Sequence, residues 1–144
     1  MSVIERTIVR FAEPQDLEWC VVEDDSVTEQ VTRNKIVNDE IIVGEIDGQL
    51  IGYVRLEYLW SKIAYIGMLF VEEAYRRAGV GRKMLNFLEN HLKEYGHDVF
   101  YSSSQADEPE AQAWHRGNGF TECGMINGLN EGGIGEVFFR KFLA

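Results

Sequence analysis

The most constraining feature of the chain is a change of pattern between residues 62 and 95. Residues 62–71, "KIAYIGMLFV", are apolar almost throughout and rich in β-branched and aromatic side chains, which predicts a strand buried on both faces. After "RRAGVG" the apolar residues recur at helical spacing, which predicts a helix with one apolar face. That face consists of Val80, Met84, Leu85, Leu88, Leu92 and Tyr95. Gly96 is placed to end this helix.

The rest of the chain alternates strand patterns with short helical ones. Strand patterns occupy residues 7–12, 40–46, 50–60, 98–103, 120–126 and 135–143. Asp47–Gly48 predicts a hairpin between the second and third of these strands. Helices are predicted from Pro14, from a capping box of Ser26 and Glu29, and from Pro109. Because no repeat or linker-like tract interrupts the 144 residues, we expect a single α+β domain, residues 1–144, with a mixed sheet.

The composition is that of a globular protein, with 45% hydrophobic residues. The longest apolar run is far shorter than a membrane span, and the first residues carry charges where a signal peptide would be apolar. Cys20 and Cys123 match no metal-ligand spacing and form no disulfide framework. These features predict a cytoplasmic protein with no membrane segment and no bound metal.

The charge is acidic overall and unevenly distributed. The net charge is −10, yet residues 61–95 hold six basic and four acidic side chains, a local net of +2. An acidic protein is a poor candidate for nonspecific nucleic-acid binding, which depends on neutralising many phosphates. A positive segment in an acidic chain is better matched to one compact anion, while the acidic remainder favours a cationic second ligand.

The turn between the apolar strand and the helix combines glycines with cations. A helix N-terminus leaves backbone N–H groups unpaired and carries partial positive charge, so it attracts anions. Gly79 and Gly81 would let a ligand approach the main chain closely. The flanking cations are Arg76, Arg77, Arg82 and Lys83. The segment is neither a Walker loop nor a dinucleotide fingerprint, so it predicts either a phosphate site of another kind or an ordinary glycine turn.

Two motifs at this spacing resemble the GNAT superfamily of acetyl-CoA-dependent N-acetyltransferases. The family turn Arg/Gln-x-x-Gly-x-Gly/Ala is matched by "RRAGVG", residues 76–81, after a typical strand "MLFVEEAYR". A second family element, aromatic-Tyr-x-x-x-Gly-Phe, is matched in part by "WHRGNGF", residues 114–120. The predicted elements fit the family order over nearly the whole chain. The resemblance implies an acyl-CoA N-acyltransferase fold, with about six to seven mostly antiparallel strands and about four helices.

The resemblance also implies acetyl-CoA as a co-substrate and assigns residues to it. The backbone of residues 77–82 would hold the CoA pyrophosphate, and the main chain of residues 68–71 would pair with the pantetheine arm like an added strand. Backbone N–H groups around Leu69 would polarise the thioester carbonyl. The implied cofactor-binding set is Met68, Leu69, Phe70, Val71, Arg76, Arg77, Ala78, Gly79, Val80, Gly81, Arg82, Lys83 and Trp114.

Acyl transfer needs a neutral amine and a proton for the departing thiolate. In the family, a tyrosine at the position of His115 often supplies that proton. The resemblance therefore implies that His115 is the general acid, since a histidine can donate a proton near neutral pH. The alternative is that His115 only packs beside Trp114. Tyr101 and Tyr65 are spare phenols on predicted strands. The family's glutamate base is missing before the pantetheine-binding segment. Glu57 on the preceding strand is the substitute candidate, with a solvated strand face as its alternative.

The implied function is acetyl transfer to a primary amine, and a cationic acceptor is favoured by the acidic surroundings. Residues 24–38 and 127–135 would line the acceptor pocket, where Glu131 offers a carboxylate; a plain hairpin connection is the alternative for the second segment. The missing family glutamate and tyrosine leave open a CoA-binding sensor without turnover. A phosphate-binding domain unrelated to CoA is a third hypothesis. Members of the family are often dimers, which leaves a homodimer open.

Overall fold

The protein, described by a computed structural model over residues 1–144, has five α-helices and seven β-strands. The helices are α1 (Val3–Arg6), α2 (Leu17–Glu23), α3 (Glu29–Val37), α4 (Val80–Glu94) and α5 (Pro109–Gly117). The strands are β1 (Thr7–Phe11), β2 (Ile41–Ile46), β3 (Gln49–Leu59), β4 (Ile63–Val71), β5 (Val99–Gln105), β6 (Thr121–Ile126) and β7 (Glu136–Phe142). None of the helices is both long and apolar enough to cross a membrane.

The seven strands form one mostly antiparallel sheet in the order β1-β2-β3-β4-β5-β7-β6. The pairing of β4 with β5 is parallel, while β1 with β2, β2 with β3, β5 with β7 and β6 with β7 are antiparallel. The predicted α+β class and the hairpin at Asp47–Gly48 are therefore confirmed. The chain divides into two compact units, residues 1–57 with 68–91 and residues 58–67 with 92–144. The single domain over residues 1–144 stays a prediction.

In the first unit, helix α4 packs against bare backbone on one face of the sheet. Gly44 of β2 and Gly52 of β3 are ladder partners. A Cβ atom added at Gly52 would lie 2.9 Å from Sδ of Met84, closer than real Cβ contacts come. The two glycines thus make room for Met84, which is fully buried. Leu85 and Leu88 of the same helix are buried as well, as their helical spacing predicts.

The other face of β2 and β3 in this unit carries a separate apolar cluster. The buried residues of this cluster are Ala12, Cys20, Ile36, Ile41, Val43 and Tyr53. Helices α2 and α3 contribute Cys20 and Ile36 to it. Burial, with the nearby charges of Asp16 and Asp24, raises the pKa of the Cys20 thiol to about 12, so the thiol acts as a small apolar side chain.

In the second unit, the strands β5 and β7 have two different faces. Directly opposite residues share a face, and Ser103 faces Phe138 while Gln105 faces Glu136 across the ladder. This face is half-buried. The residues that alternate with these are buried, and they comprise Phe100, Ser102, Ser104, Val137 and Phe139. Helix α5 packs its His115 on that second face, against Ser102 and Phe139.

The structure corrects three local predictions and adds one helix. Thr28, not Ser26, caps α3, because its hydroxyl accepts from the Val31 N–H while the Ser26 hydroxyl donates to Asp24. Strand β4 has three buried residues, Ala64, Ile66 and Val71, and six half-buried ones, so it is not buried on both faces. Tyr95 lies after the end of α4 and is 72% exposed. The short helix α1 was not predicted, since four residues are too few to show helical periodicity.

Candidate active site

The end of strand β4 leads directly into the glycine turn. Met68, Leu69 and Phe70 are half-buried and Val71 is buried. The carbonyl of Val71 accepts a hydrogen bond of 2.8 Å from Nε of Arg76, which ties the turn to the end of the strand. The parallel ladder of β4 with β5 consists of one residue pair, Tyr65 with Tyr101, upstream of residues 68–71.

The turn itself has a backbone of alternating φ sign. Arg76 has a φ of −70°, Arg77 a φ of +63°, and Gly79 a φ of +90°. Ala78, between the last two, is not among the residues with positive φ. Backbone of this kind points successive N–H groups toward one concavity that suits an anion. At the start of α4, the Lys83 N–H donates to the Gly79 carbonyl at 3.0 Å. The amides of residues 80–82 therefore lie in the first turn of the helix, where N–H groups have no partner within the helix.

The cations around the turn have different surroundings. Arg76, Arg77 and Arg82 are exposed. Lys83 is half-buried, and its ammonium group donates to the carbonyls of Ile4 at 2.9 Å and Thr7 at 2.5 Å. The side chain of Lys83 therefore anchors the N-terminal helix α1 to α4. The three arginine side chains lie at the surface of the turn.

The candidate base Glu57 is paired with two cations. One of its oxygens lies 2.8 Å from Nζ of Lys35 and the other bonds Nη1 of Arg55. Lys35 also donates to the Leu56 carbonyl at 2.8 Å. Accepting a proton would cost Glu57 both ion pairs, so its geometry favours a structural role. Its function as general base stays a prediction.

A buried charge network adjoins Glu57, and the sequence analysis did not find it. Asp24 is 1% exposed and accepts hydrogen bonds from Tyr53 Oη at 2.7 Å, Arg55 Nε at 2.8 Å and the Ser26 hydroxyl. Burial raises the pKa of Asp24, but these hydrogen bonds outweigh it and hold the pKa below its ordinary value of 3.8. No local pattern predicts such a network, because Tyr53 and Arg55 come from a strand far along the chain. It fixes the connection between α2 and α3.

His115, the candidate acid, has both ring nitrogens engaged. Nδ1 lies 2.7 Å from the Ala111 carbonyl, so it carries the proton, and Nε2 accepts from the Ser102 hydroxyl at 2.8 Å. The ring stacks on Phe139 at 4.5 Å between centroids. Burial lowers the pKa of His115 below its ordinary 6.5, although the Ala111 hydrogen bond and the Glu136 charge oppose this. The geometry favours a neutral, structural imidazole, and the catalytic role stays a prediction.

Tyr101 and Trp114 lie in the same unit as His115. Tyr101 is half-buried, and as the ladder partner of Tyr65 it occupies the face of β5 opposite to the one that His115 covers. Trp114 is half-buried, and its ring meets that of His115 edge-on at 5.2 Å. The catalytic role of Tyr101 and the cofactor-binding role of Trp114 stay predictions.

A hydrogen-bonded chain runs across the half-buried face of the second unit. Tyr65 Oη lies 2.5 Å from Ser103 Oγ, and Ser103 donates to Glu136 Oε2 at 2.6 Å. Asn130 Nδ2 donates to the other oxygen of Glu136 at 2.9 Å. The sequence analysis named Tyr65 but not the other three residues. A period-two pattern in β5 and β7 could have placed Ser103 and Glu136 on one face, but not in contact.

The family model for the acetyltransferase (GNAT) family matches residues 8–120, which is most of the chain and includes both motifs. The chain belongs to the acetyltransferase (GNAT) family. The GNAT resemblance drawn from "RRAGVG" and "WHRGNGF" is thereby confirmed. Among proteins of curated function, none matches the sequence of this GNAT protein.

Solved structures of GNAT proteins share the fold at low sequence identity. The ribosomal-protein-alanine N-acetyltransferase from Brucella melitensis has a TM-score of 0.80 and 22% identity, covering 94% of this chain and 99% of its own. The ribosomal-protein-S18-alanine N-acetyltransferase from Escherichia coli has a TM-score of 0.79 and 16% identity, covering 96% and 94%. The structure of yncA from Salmonella typhimurium with its cofactor acetyl-CoA has a TM-score of 0.74 and 18% identity, covering 96% and 95%. The acyltransferase fold is thus confirmed.

Proposed function

We propose that this GNAT protein transfers the acetyl group of acetyl-CoA to a primary amine. The observation that carries the proposal is the turn of alternating φ at Arg77 and Gly79, which joins β4 to the N-terminus of α4. Such a turn places backbone N–H groups and the positive end of the helix dipole at one point, where a pyrophosphate binds well. The acetyl-CoA in the yncA structure supports the choice of ligand.

This geometry supports the proposed donor site. The pyrophosphate binds the backbone amides of residues 77–82, with long-range attraction from the exposed Arg76, Arg77 and Arg82. The ammonium group of Lys83 donates to the Ile4 and Thr7 carbonyls, which favours an anchoring role for this side chain over pyrophosphate binding. The pantetheine arm pairs with the main chain of residues 68–71.

The acceptor is a primary amine, which attacks the thioester carbon as the C–S bond breaks and CoA leaves as a thiolate. Residues 1–60 hold thirteen acidic and five basic side chains, which favours a cationic acceptor. Two structural neighbours bear names that specify a ribosomal-protein alanine, so a peptide with an N-terminal alanine belongs in the acceptor panel. The predicted compartment is the cytoplasm, and the predicted oligomeric states include a homodimer.

A second candidate is an acyl-CoA-binding module without turnover. It is favoured by the engagement of both ring nitrogens of His115 and of both carboxylate oxygens of Glu57. Release of free CoA thiol separates the two candidates. Thiol release from acetyl-CoA with any amine supports the enzyme, while CoA binding without release across the panel supports the module.

The proposed donor site predicts that Gly81→Glu abolishes CoA binding. Gly81 lies within α4 and has no positive φ, so its backbone accepts a side chain, and a glutamate in the first helical turn is tolerated by the helix dipole. The added carboxylate would nevertheless repel the pyrophosphate. A ligand that binds the native state raises the melting temperature, so we expect CoA to stabilise the wild-type protein and not the variant.

The matched control is Asn90→Glu, which adds the same charge at an exposed position farther along α4. This variant should keep the full CoA-induced rise in melting temperature. Equal protection of folded Gly81→Glu by CoA would place the pyrophosphate elsewhere. If CoA fails to stabilise even the wild-type protein, the donor proposal itself is wrong.

A further inference from the structure

The hydrogen-bonded chain of Tyr65, Ser103 and Glu136 has a fixed direction. The Glu136 carboxylate can only accept hydrogen bonds, so the Ser103 hydroxyl donates its single hydrogen to Glu136 Oε2 at 2.6 Å. Ser103 Oγ must then accept at its 2.5 Å contact with Tyr65, which makes the phenol the donor. Any further partner of the phenolic oxygen must therefore donate a hydrogen bond to it. A protonated amine is such a partner.

The charge at the end of this chain is not compensated by a cation. Glu136 forms no salt bridge, and its oxygens accept from the neutral groups of Ser103 and Asn130. Glu57 differs, since Lys35 and Arg55 neutralise it. A half-buried carboxylate with neutral donors attracts a cation and can take up a proton without breaking an ion pair.

Neighbouring residues hold the hydrogen-bonded chain on its face of the sheet. The Tyr65 ring stacks on Phe138 at 5.9 Å between centroids, and Phe138 is the ladder partner of Ser103. Asn130 fixes the second oxygen of Glu136 at 2.9 Å and also donates to the Gly135 carbonyl. Tyr65 lies three residues before Met68 on strand β4, whose last four residues form the proposed pantetheine segment.

We propose that Tyr65, Ser103 and Glu136 form a proton relay that deprotonates the acceptor amine. Tyr65 is the catalytic residue that touches the amine, while Ser103 and Glu136 act through it. The inference rests on the proposed acetyl transfer and names the base for that reaction. The relay does not use His115, which lies on the opposite face of β5.

The proton transfer balances as follows. One N–H bond of the ammonium breaks as its proton joins Tyr65 Oη, the phenolic proton moves to Ser103 Oγ, and the Ser103 proton moves to Glu136 Oε2. The carboxylate becomes a neutral carboxylic acid and the ammonium a neutral amine. The amine lone pair then forms the C–N bond as the C–S bond breaks, one of the two remaining N–H protons passes to the CoA thiolate, and the other stays on the amide nitrogen. The proton on Glu136 is released to solvent before the next turnover.

The relay favours an amine that gives up its proton readily, because a carboxylate is a weak base. An α-amino group has a pKa of about 7.7–8.0, whereas a lysine side chain has a pKa of about 10.4. We therefore assign the acceptor to the class of α-amino groups. The probes are a short lysine-free peptide with an N-terminal alanine, and the same peptide with a blocked N-terminus and one internal lysine.

The test compares Tyr65→Phe, Ser103→Ala and Glu136→Gln with the wild-type protein across pH, measuring kcat/KM by CoA release with the alanine peptide. Loss of general base catalysis lowers the rate by about a hundredfold or more. The loss should shrink as the pH rises toward the pKa of the amine, since solvent then supplies free amine. Other titratable or charged groups near Glu136 also bear on this pH profile. Tyr65, Tyr101 and Arg140 share its face of the sheet, and His115 interacts with its charge from the opposite face.

Controls separate the relay from a loss of structure. Ser104→Ala removes a buried hydroxyl without a hydrogen-bond partner from the next position of β5, and should keep the wild-type profile. Ser103→Thr retains the hydroxyl and should keep the wild-type rate. If Tyr65→Phe does not fold, the comparison of Ser103→Thr with Ser103→Ala still tests the relay. The double variant Tyr65→Phe/Glu136→Gln should lose no more than Tyr65→Phe alone, because both break one chain.

The outcomes distinguish the relay from the proposed function. The relay alone is overturned if the wild-type enzyme acetylates the peptides and the variants keep its pH profile. It is also overturned if the variants lose activity equally at every pH and their losses add. Faster acetylation of the internal lysine than of the α-amino group overturns the acceptor class. A wild-type protein that binds CoA and releases no thiol with either peptide or any amine of the panel contradicts the proposed function, and the relay with it.

Discussion

At the scale of single residues, the surroundings of a side chain decide whether a chemically able group can act. His115 occupies a motif position, yet its two nitrogens bond Ala111 and Ser102 and its ring lies against Phe139. Glu136 is in no motif, yet its carboxylate ends a chain of neutral donors. A residue type therefore indicates what chemistry is available, and the partners determine which residue performs it.

His115→Phe should lower the free energy of unfolding by about 1–3 kcal/mol, because it leaves the buried Ser102 hydroxyl without its partner. Urea unfolding measures this change. The double variant Ser102→Ala/His115→Phe should recover part of the loss, since removing both partners leaves no unsatisfied group. Unchanged stability of the single variant, with a pH-rate profile that loses one limb, would instead favour the general acid role.

At the scale of elements, the glycine turn depends on a contact from the far end of the chain. Lys83 on α4 donates to the carbonyls of Ile4 and Thr7, at α1 and directly after it. A Cβ atom added at Gly79 would lie only 2.7 Å from Cδ1 of Ile4. With a φ of +90° at the same residue, Gly79 is required both by backbone conformation and by this close approach. Helix α1 is thus a support of the turn.

Lys83→Met should release α1 from α4 while keeping the apolar stem of the side chain. Two hydrogen bonds from a charged donor are lost, so we expect a decrease of about 2–4 kcal/mol in unfolding free energy, together with faster hydrogen exchange in residues 3–7. Lys93→Met, at an exposed position of the same helix, is the control and should change stability little. Unchanged exchange in α1 would show that the anchor contributes nothing.

At the scale of the whole molecule, stability depends on groups whose pKa values are lowered by folding. Burial lowers the pKa of His115 from its ordinary 6.5. Burial alone would raise the pKa values of Asp16 and Asp24, but their hydrogen bonds, from Arg10 to Asp16 and from Ser26, Tyr53 and Arg55 to Asp24, hold both below 3.8. In each case the unfolded chain binds the proton more tightly than the folded one.

We therefore expect the melting temperature to fall in two stages as the pH decreases. The stabilisation linked to His115 is complete above pH 6.5 and is lost below it, and that linked to Asp16 and Asp24 is complete above pH 3.8 and is lost below it. Thermal unfolding across pH checks both stages. His115→Phe should remove the upper stage only. A melting temperature that rises on acidification from pH 7 would reverse the sign of the argument for His115.

The sequence by itself determined that a strand, a glycine turn and a helix follow one another between residues 62 and 95, and it determined the hairpin at Asp47–Gly48 and the family. These are local features, since the period of apolar residues and the positions of glycines are visible within a short window. Only the tertiary structure decided the chemistry of the candidate site. Lys83 meets Ile4 across 79 positions, Ser103 meets Glu136 across 33, and Arg55 meets Asp24 across 31. Hydrogen bonds between such distant residues depend on strand register and side-chain direction, which no single segment encodes.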